Sequence, residues 1–212
     1  MRSAALFVAL GILALGAPVR GAGQVKEPQP LDASESIPYF IADGTGLAGF
    51  RTADRELAAW AMAAWQRTAG GPLRLDAAPE STAIVRLYWA NPREGQYGEM
   101  RPLIAQGRHG AAVYIRPDMD GLGPEIAQRA ATDDLLRDSI VYLTCLHELG
   151  HALGLSHTAS FNDIMYFFGY GGDIVGFFSR YRRQLRSRAD IMRVSGLSPA
   201  DVKRLHALYP QR

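Results

Sequence analysis

Two histidines stand four positions apart with a glutamate beside the first, His147-Glu148-Leu149-Gly150-His151, and a third follows at His157. At i and i+4 of a helix, two imidazoles share one face a turn apart and can reach a single ion. A helix continued to His157 would carry the third ring about 15 Å further along the axis. Zinc–nitrogen bonds are only about 2.1 Å, so a third ligand at His157 requires the chain to leave the helix and turn back. Gly154 is placed to allow it, because glycine accepts the left-handed backbone that commonly follows a helix C-terminus. Three neutral imidazoles leave the ion its full charge and one open coordination position, which suits catalysis better than scaffolding. Zinc brings a bound water towards a pKa of about 7, and Glu148 is the carboxylate placed to take that proton and return it to a leaving group. Hydrolysis by a Glu148-activated, zinc-bound water is the reaction expected.

These residues need a scaffold, and the periodicities supply one. Asp133 and Asp134 suit the positive end of a helix running to about Leu153, which would carry the first two histidines. From Ala53 to Thr68, Leu57, Trp60, Ala61, Ala64 and Trp65 fall on one helical face, and Gly70, Gly71 and Pro72 end the pattern. Ile37–Ile41 and Ala83–Ala90 read as strands, and Met100–Ala105 and Ala111–Ile115 as a hairpin joined through Gly107–Gly110. At the other end, Leu197–Tyr209 has Ser198 as N-cap, Pro199 in the first turn and Asp201 three positions after the cap, a terminal helix.

The motif His147–His157, the run Asp163-Ile164-Met165-Tyr166 and the terminal LSPADVKRLHALY together resemble the metzincin zinc peptidases, and among them the matrixins. The resemblance implies an α+β domain: a twisted, mostly parallel sheet with an antiparallel edge strand, two main helices, and a small C-terminal subdomain with a terminal helix. It implies zinc endopeptidase activity, with metal ligands His147, His151 and His157, catalytic Glu148, a methionine turn at Met165, and peptide or protein substrates lying extended along the edge strand. Three departures stand out. Phe167 follows Met-Tyr where the family usually has proline. About twenty extra residues precede the last helix, and a second Asp-Ile-Met at Asp190–Met192 makes Met192 a rival for the turn. The segment before the first strand is also too short for a prodomain that silences the metal through a cysteine. In matrixins the segment after the methionine turn walls a substrate pocket. Phe167, Phe168, Tyr170, Phe177 and Phe178 could line it here, with six arginines between Arg180 and Arg193 forming a basic rim for an acidic partner if the stretch is helical.

Composition limits the alternatives. The chain of 212 residues is 48% hydrophobic and 21% charged, as expected of one globular domain. Arg2 followed by the apolar run Ala4–Ala17 reads as a secretory signal over residues 1–22, followed by a flexible leader over 23–36 and the catalytic domain over 37–212. Fourteen apolar residues fall short of the roughly 20 that span a bilayer, so no membrane span is expected, and the protein should be secreted or periplasmic. Lys and Arg total 23 against 21 Asp and Glu. Removal of Arg2 and Arg20 would leave the chain neutral, so no nucleic-acid partner is expected. The single cysteine, Cys145, would point about 160° away from His147 on a helix and reads as a buried apolar residue. His109 and His206 have no partner at ligand spacing. Asp118-Met119-Asp120-Gly121 resembles part of a calcium loop but lacks the further carboxylates, leaving a Ca2+ site weakly supported beside a simple turn. The rival reading is an exported zinc-binding module without turnover, which would have no use for Glu148.

Overall fold

A computed structural model describes residues 28–92 and 96–210; the expected signal, the leader up to residue 27, residues 93–95 and the last two residues lie outside it. In chain order the elements are β1 (Ile37–Ile41), α1 (Asp54–Ala69), β2 (Leu75–Ala77), β3 (Val85–Trp89), β4 (Gly98–Ala105), β5 (Arg108–Ile115), α2 (Pro124–Thr132), α3 (Asp134–Ala152), α4 (Ile174–Arg182) and α5 (Pro199–Leu208). The strands form one sheet in the order β2-β1-β3-β5-β4. All pairings are parallel except β4 with β5, so β4 is an antiparallel edge. This is the expected α+β architecture. Its additions are β2, too short to show a period, and the short helices α2 and α4.

α1 and α3 pack against each other, and the reason is visible in their faces. Leu57, Ala61, Ala64 and Trp65 of α1 are fully buried, as are Ile140, Cys145 and Leu146 of α3. The Trp65 indole N–H also donates to the Leu146 carbonyl at 2.9 Å. Between the same helices Arg137 is paired with Asp54, both buried, and donates to the Gly49 carbonyl at 2.7 Å. Deleting one partner of such a pair costs about 3–5 kcal/mol, because the other charge is left buried alone. On the opposite face of the sheet the Tyr88 and Tyr114 rings stack at 5.5 Å, and the Arg101 guanidinium lies 4.7 Å from the Tyr114 centroid.

The hairpin turns earlier than the glycines suggest. Gln106 and Gly107, at φ 53° and 71°, form the two-residue turn, and Arg108, His109 and Gly110 already belong to β5. Within the described part of the leader, one residue is anchored. Leu31 is buried, its N–H donates to the Tyr209 hydroxyl at 2.9 Å, and that hydroxyl donates to the Leu153 carbonyl at 3.0 Å. The segment is thereby strapped over the end of α3. No helix among the described residues is long and apolar enough to cross a membrane.

Candidate metal centre

α3 is capped by Asp133, whose carboxylate accepts from the Leu136 N–H at 3.0 Å, and carries His147, Glu148 and His151 in its last turns. Its end is set by Gly154 at φ +97°, a conformation costly for a residue with a Cβ. A side chain at Gly154 would also run into the leader, with Cβ 2.6 Å from the Pro30 nitrogen. The chain reverses there and returns His157 to the other two imidazoles. One nitrogen from each of the three rings can be chosen so that all lie within 4.8 Å of one another.

The rings are oriented by backbone carbonyls. Nδ1 of His147 lies 2.6 Å from the Ile164 oxygen and Nδ1 of His151 lies 2.7 Å from the Leu155 oxygen. A carbonyl only accepts, so each Nδ1 carries the proton and each Nε2 is left with a free lone pair, the state a metal ligand needs. The Nε2 atoms of His151 and His157 are 3.1 Å apart. Burial, reinforced by the neighbouring rings, pushes His147 down to about 3 and His151 to about 4, and burial also lowers His157. All three are therefore neutral at neutral pH, and the donor set fits a borderline divalent ion such as zinc.

Glu148 is buried, and burial pushes its carboxyl up to about 8, with the charge of Glu99 adding to the effect and a bond from the Met100 backbone opposing it. Its side chain fits only because residue 98 has none: a Cβ on Gly98 would lie 2.6 Å from Oε1 and 2.9 Å from Cγ of Glu148. Gly98 and the Met100 amide therefore help position the candidate base. Neither was foreseen, because a glycine before a strand carries no signal of what approaches it.

Met165 is fully buried with its sulfur against Gly150 of α3, whereas Met192 is 43% exposed. It is therefore the run at Asp163, not the one at Asp190, that lies under α3. That run is tied to α5. One oxygen of the fully buried Asp201 accepts from the N–H groups of Ile164, at 2.8 Å, and Ser198, at 2.9 Å, and the Ser198 hydroxyl donates to Asp163 at 2.7 Å. The same residue, Ile164, thus donates its N–H to Asp201 and presents its carbonyl oxygen, in the next peptide unit, to His147. Asp201 was legible as a helix cap; its reach to the ligand's support was not.

Several expectations need correction. The stretch from Arg180 to Arg193 is not one helix, because α4 ends at Arg182, and it forms no basic rim. Arg182 pairs with Asp133 at 2.9 Å, Arg188 with Asp138 at 2.9 Å and Glu56 at 2.7 Å, and Arg193 with Asp190 at 2.7 Å. Arg180 donates to the Phe161 carbonyl at 3.0 Å. Arg182 and Arg188 tie the extra segment to α3 and α1, Arg180 ties it to the loop at Phe161, and Arg193 pairs within the segment, leaving Arg183, Arg186 and Arg193 exposed. The apolar wall shrinks likewise. Phe177 and Phe178 are core residues with Phe168 packed on them, while Phe167 and Tyr170 are 40% and 67% exposed. The Phe167 ring lies 4.7 Å from that of His157. Both oxygens of Asp118 are engaged by Arg116, at 3.1 and 3.0 Å, and one also by the Gly121 N–H, so this loop is closed by its own ion pair. Cys145 is fully buried and its thiol is held well above its ordinary pKa by burial. His206 faces the Thr68 carbonyl at 2.7 Å, away from the histidine triad, and His109 lies in β5.

The family model Peptidase_M10, described as matrixin, matches residues 36–171. Among solved structures, that of myroilysin is similar with a TM-score of 0.45 at 12% identity, over 87% of this chain and 97% of that one. No curated protein sequence matches.

Proposed function

The chain belongs to the matrixin family of peptidases, and on that premise we propose that it is an exported zinc endopeptidase in which His147, His151 and His157 hold the metal and Glu148 is the general base. The observation that carries the reading is the pair of carbonyl-fixed tautomers, which leave the Nε2 lone pairs of His147 and His151 free beside His157. Zinc held there would supply Lewis acidity towards the scissile carbonyl and an attacking water. Glu148 takes a proton from the water on its carboxylate and delivers it to the departing amine nitrogen. Burial makes the carboxyl more basic than an ordinary glutamate, and a divalent cation beside it would favour the ionised form that the first transfer requires. The open edge of β4 can accept an extended peptide by backbone pairing, which suits cleavage at internal bonds.

Metal analysis combined with digestion of an unstructured protein tests this directly. One tightly held zinc and internal cleavage are expected for the wild type, and retained zinc without cleavage for Glu148→Ala. Equal proteolysis by the two would remove Glu148 from the mechanism, and a wild type that binds no metal would remove the site. Export rests on the charged and apolar pattern of residues 2–17.

A further inference from the structure

The edge that would receive substrate contains a proline. Its consequence depends on which backbone groups of β4 face outward, and the register decides this. The Ala111 N–H donates to the Ile84 carbonyl, so Ala111 faces β3, and its neighbours Gly110 and Ala112 face β4. Their partners in β4 are Leu103 and Arg101. Gly98, Met100, Pro102 and Ile104, opposite Ile115, Val113, Ala111 and His109, therefore point their backbone groups away from the sheet. The bond from the Met100 backbone to Glu148 agrees with this alternation. Along the edge, N–H groups point outward at Gly98, Met100 and Ile104, the one at Met100 being held by Glu148. At Pro102 the donor is missing, and the ring Cδ occupies the place of its hydrogen, where a pairing strand would bring a carbonyl.

Resting on the peptidase reading, we propose that Pro102 ends the substrate ladder: backbone recognition is confined to the part of the peptide facing Gly98 to Arg101, and nothing beyond it on the Ile104 side is paired. Glu148 lies against Gly98 and Met100, so the reacting bond belongs near those residues. A peptide paired antiparallel to β4, the more stable mode, then runs its residues N-terminal to the scissile bond past Pro102. The favoured substrates are those held from the scissile bond towards their C-terminal side, with little demand on the N-terminal side. Ile104, 73% exposed beyond the break, takes no part in pairing.

The test uses the zinc-loaded enzyme and one cleavable peptide core, lengthened a residue at a time at either end. In the wild type, C-terminal lengthening should raise kcat/KM, while N-terminal lengthening past the residue facing Met100 should leave it within two-fold. In Pro102→Ala the ratio of kcat/KM for the N-terminally long peptide to that for the core should rise roughly five-fold, the worth of one restored backbone hydrogen bond. Replacing successive substrate carbonyls by thiocarbonyls, weaker acceptors, gives the same answer without a variant: the penalty should vanish at the residue facing Pro102, whose carbonyl meets no donor. An equal gain from N-terminal lengthening in the wild type would overturn the proposal. So would an unchanged ratio in a folded Pro102→Ala, including one that merely self-associates and so assigns Pro102 to edge protection. Failure to cleave any peptide would instead defeat the peptidase reading.

Discussion

Replacing Asp201 by Ala tests whether the terminal helix braces the metal site. The change removes one carboxylate oxygen that accepts from Ile164 N–H at 2.8 Å and from Ser198 N–H at 2.9 Å in a fully buried position. An unpaired buried N–H costs about 1–3 kcal/mol, and the reciprocal half of the α5 cap is lost with it, worth about 1 kcal/mol. A total of about 2–4 kcal/mol is expected. For a domain of this size that lowers Tm by roughly 5–15 °C, which a thermal melt of the metal-free protein measures. The Ile164 carbonyl that orients His147 is in the same residue. Zinc affinity, read by competition with a chelating dye, should therefore fall about ten-fold, as on loss of other supports behind metal ligands. Asp201→Asn, which keeps an oxygen acceptor, should recover much of both. A lowered Tm with unchanged zinc affinity would break the proposed link from α5 to His147, and an unchanged Tm would refute the whole account.

Gly98→Ala places Cβ 2.6 Å from Oε1 of Glu148, so the carboxylate must move by something like 1 Å; kcat should fall about 100-fold with zinc content intact, and full activity in a folded variant would remove Gly98 from the site. Cys145→Ser should keep zinc and activity while losing about 1 kcal/mol of stability for burying a hydroxyl at a position with no exposure; latency released by thiol reagents in the wild type would contradict it. The exported protein should begin between Ala17 and Gln24 by mass spectrometry, whereas an intact Met1 would refute export by a cleaved signal.

What could be read from the sequence was what is local. The spacing of His147, Glu148 and His151, the glycine that turns the chain and the return to His157 occupy eleven consecutive positions, and helical periodicity acts over that range. The faces of α1 and α3 and the cap of α5 were legible for the same reason. Of the two Asp-Ile-Met runs, the one at Met165 was preferred only through the family resemblance, because the physical difference lies in distant partners. Asp163 and Ile164 are taken by Ser198 and Asp201, whereas Asp190 closes its own short turn from Ser187 and pairs with Arg193. The arginines misled similarly. A run of like charges looks like a surface until Asp133, Asp138 and Glu56 are found waiting 49, 50 and 132 positions away. Gly98 belongs to this class too, since its purpose is set by a glutamate from another element.

The same division between near and far orders events during synthesis. The histidine triad and the turn beneath it are complete once Tyr166 has emerged, but the groups that brace them, Arg188 on Ala53 and Glu56 and Asp201 on Ile164, come later in the chain. Ion capture by residues so close in sequence closes only a small loop, whereas docking the last segment onto α1 closes one of more than a hundred residues. A nascent chain could therefore gain its ion before it gains its rigidity, and the metal would then act as a template on which the C-terminal segment folds.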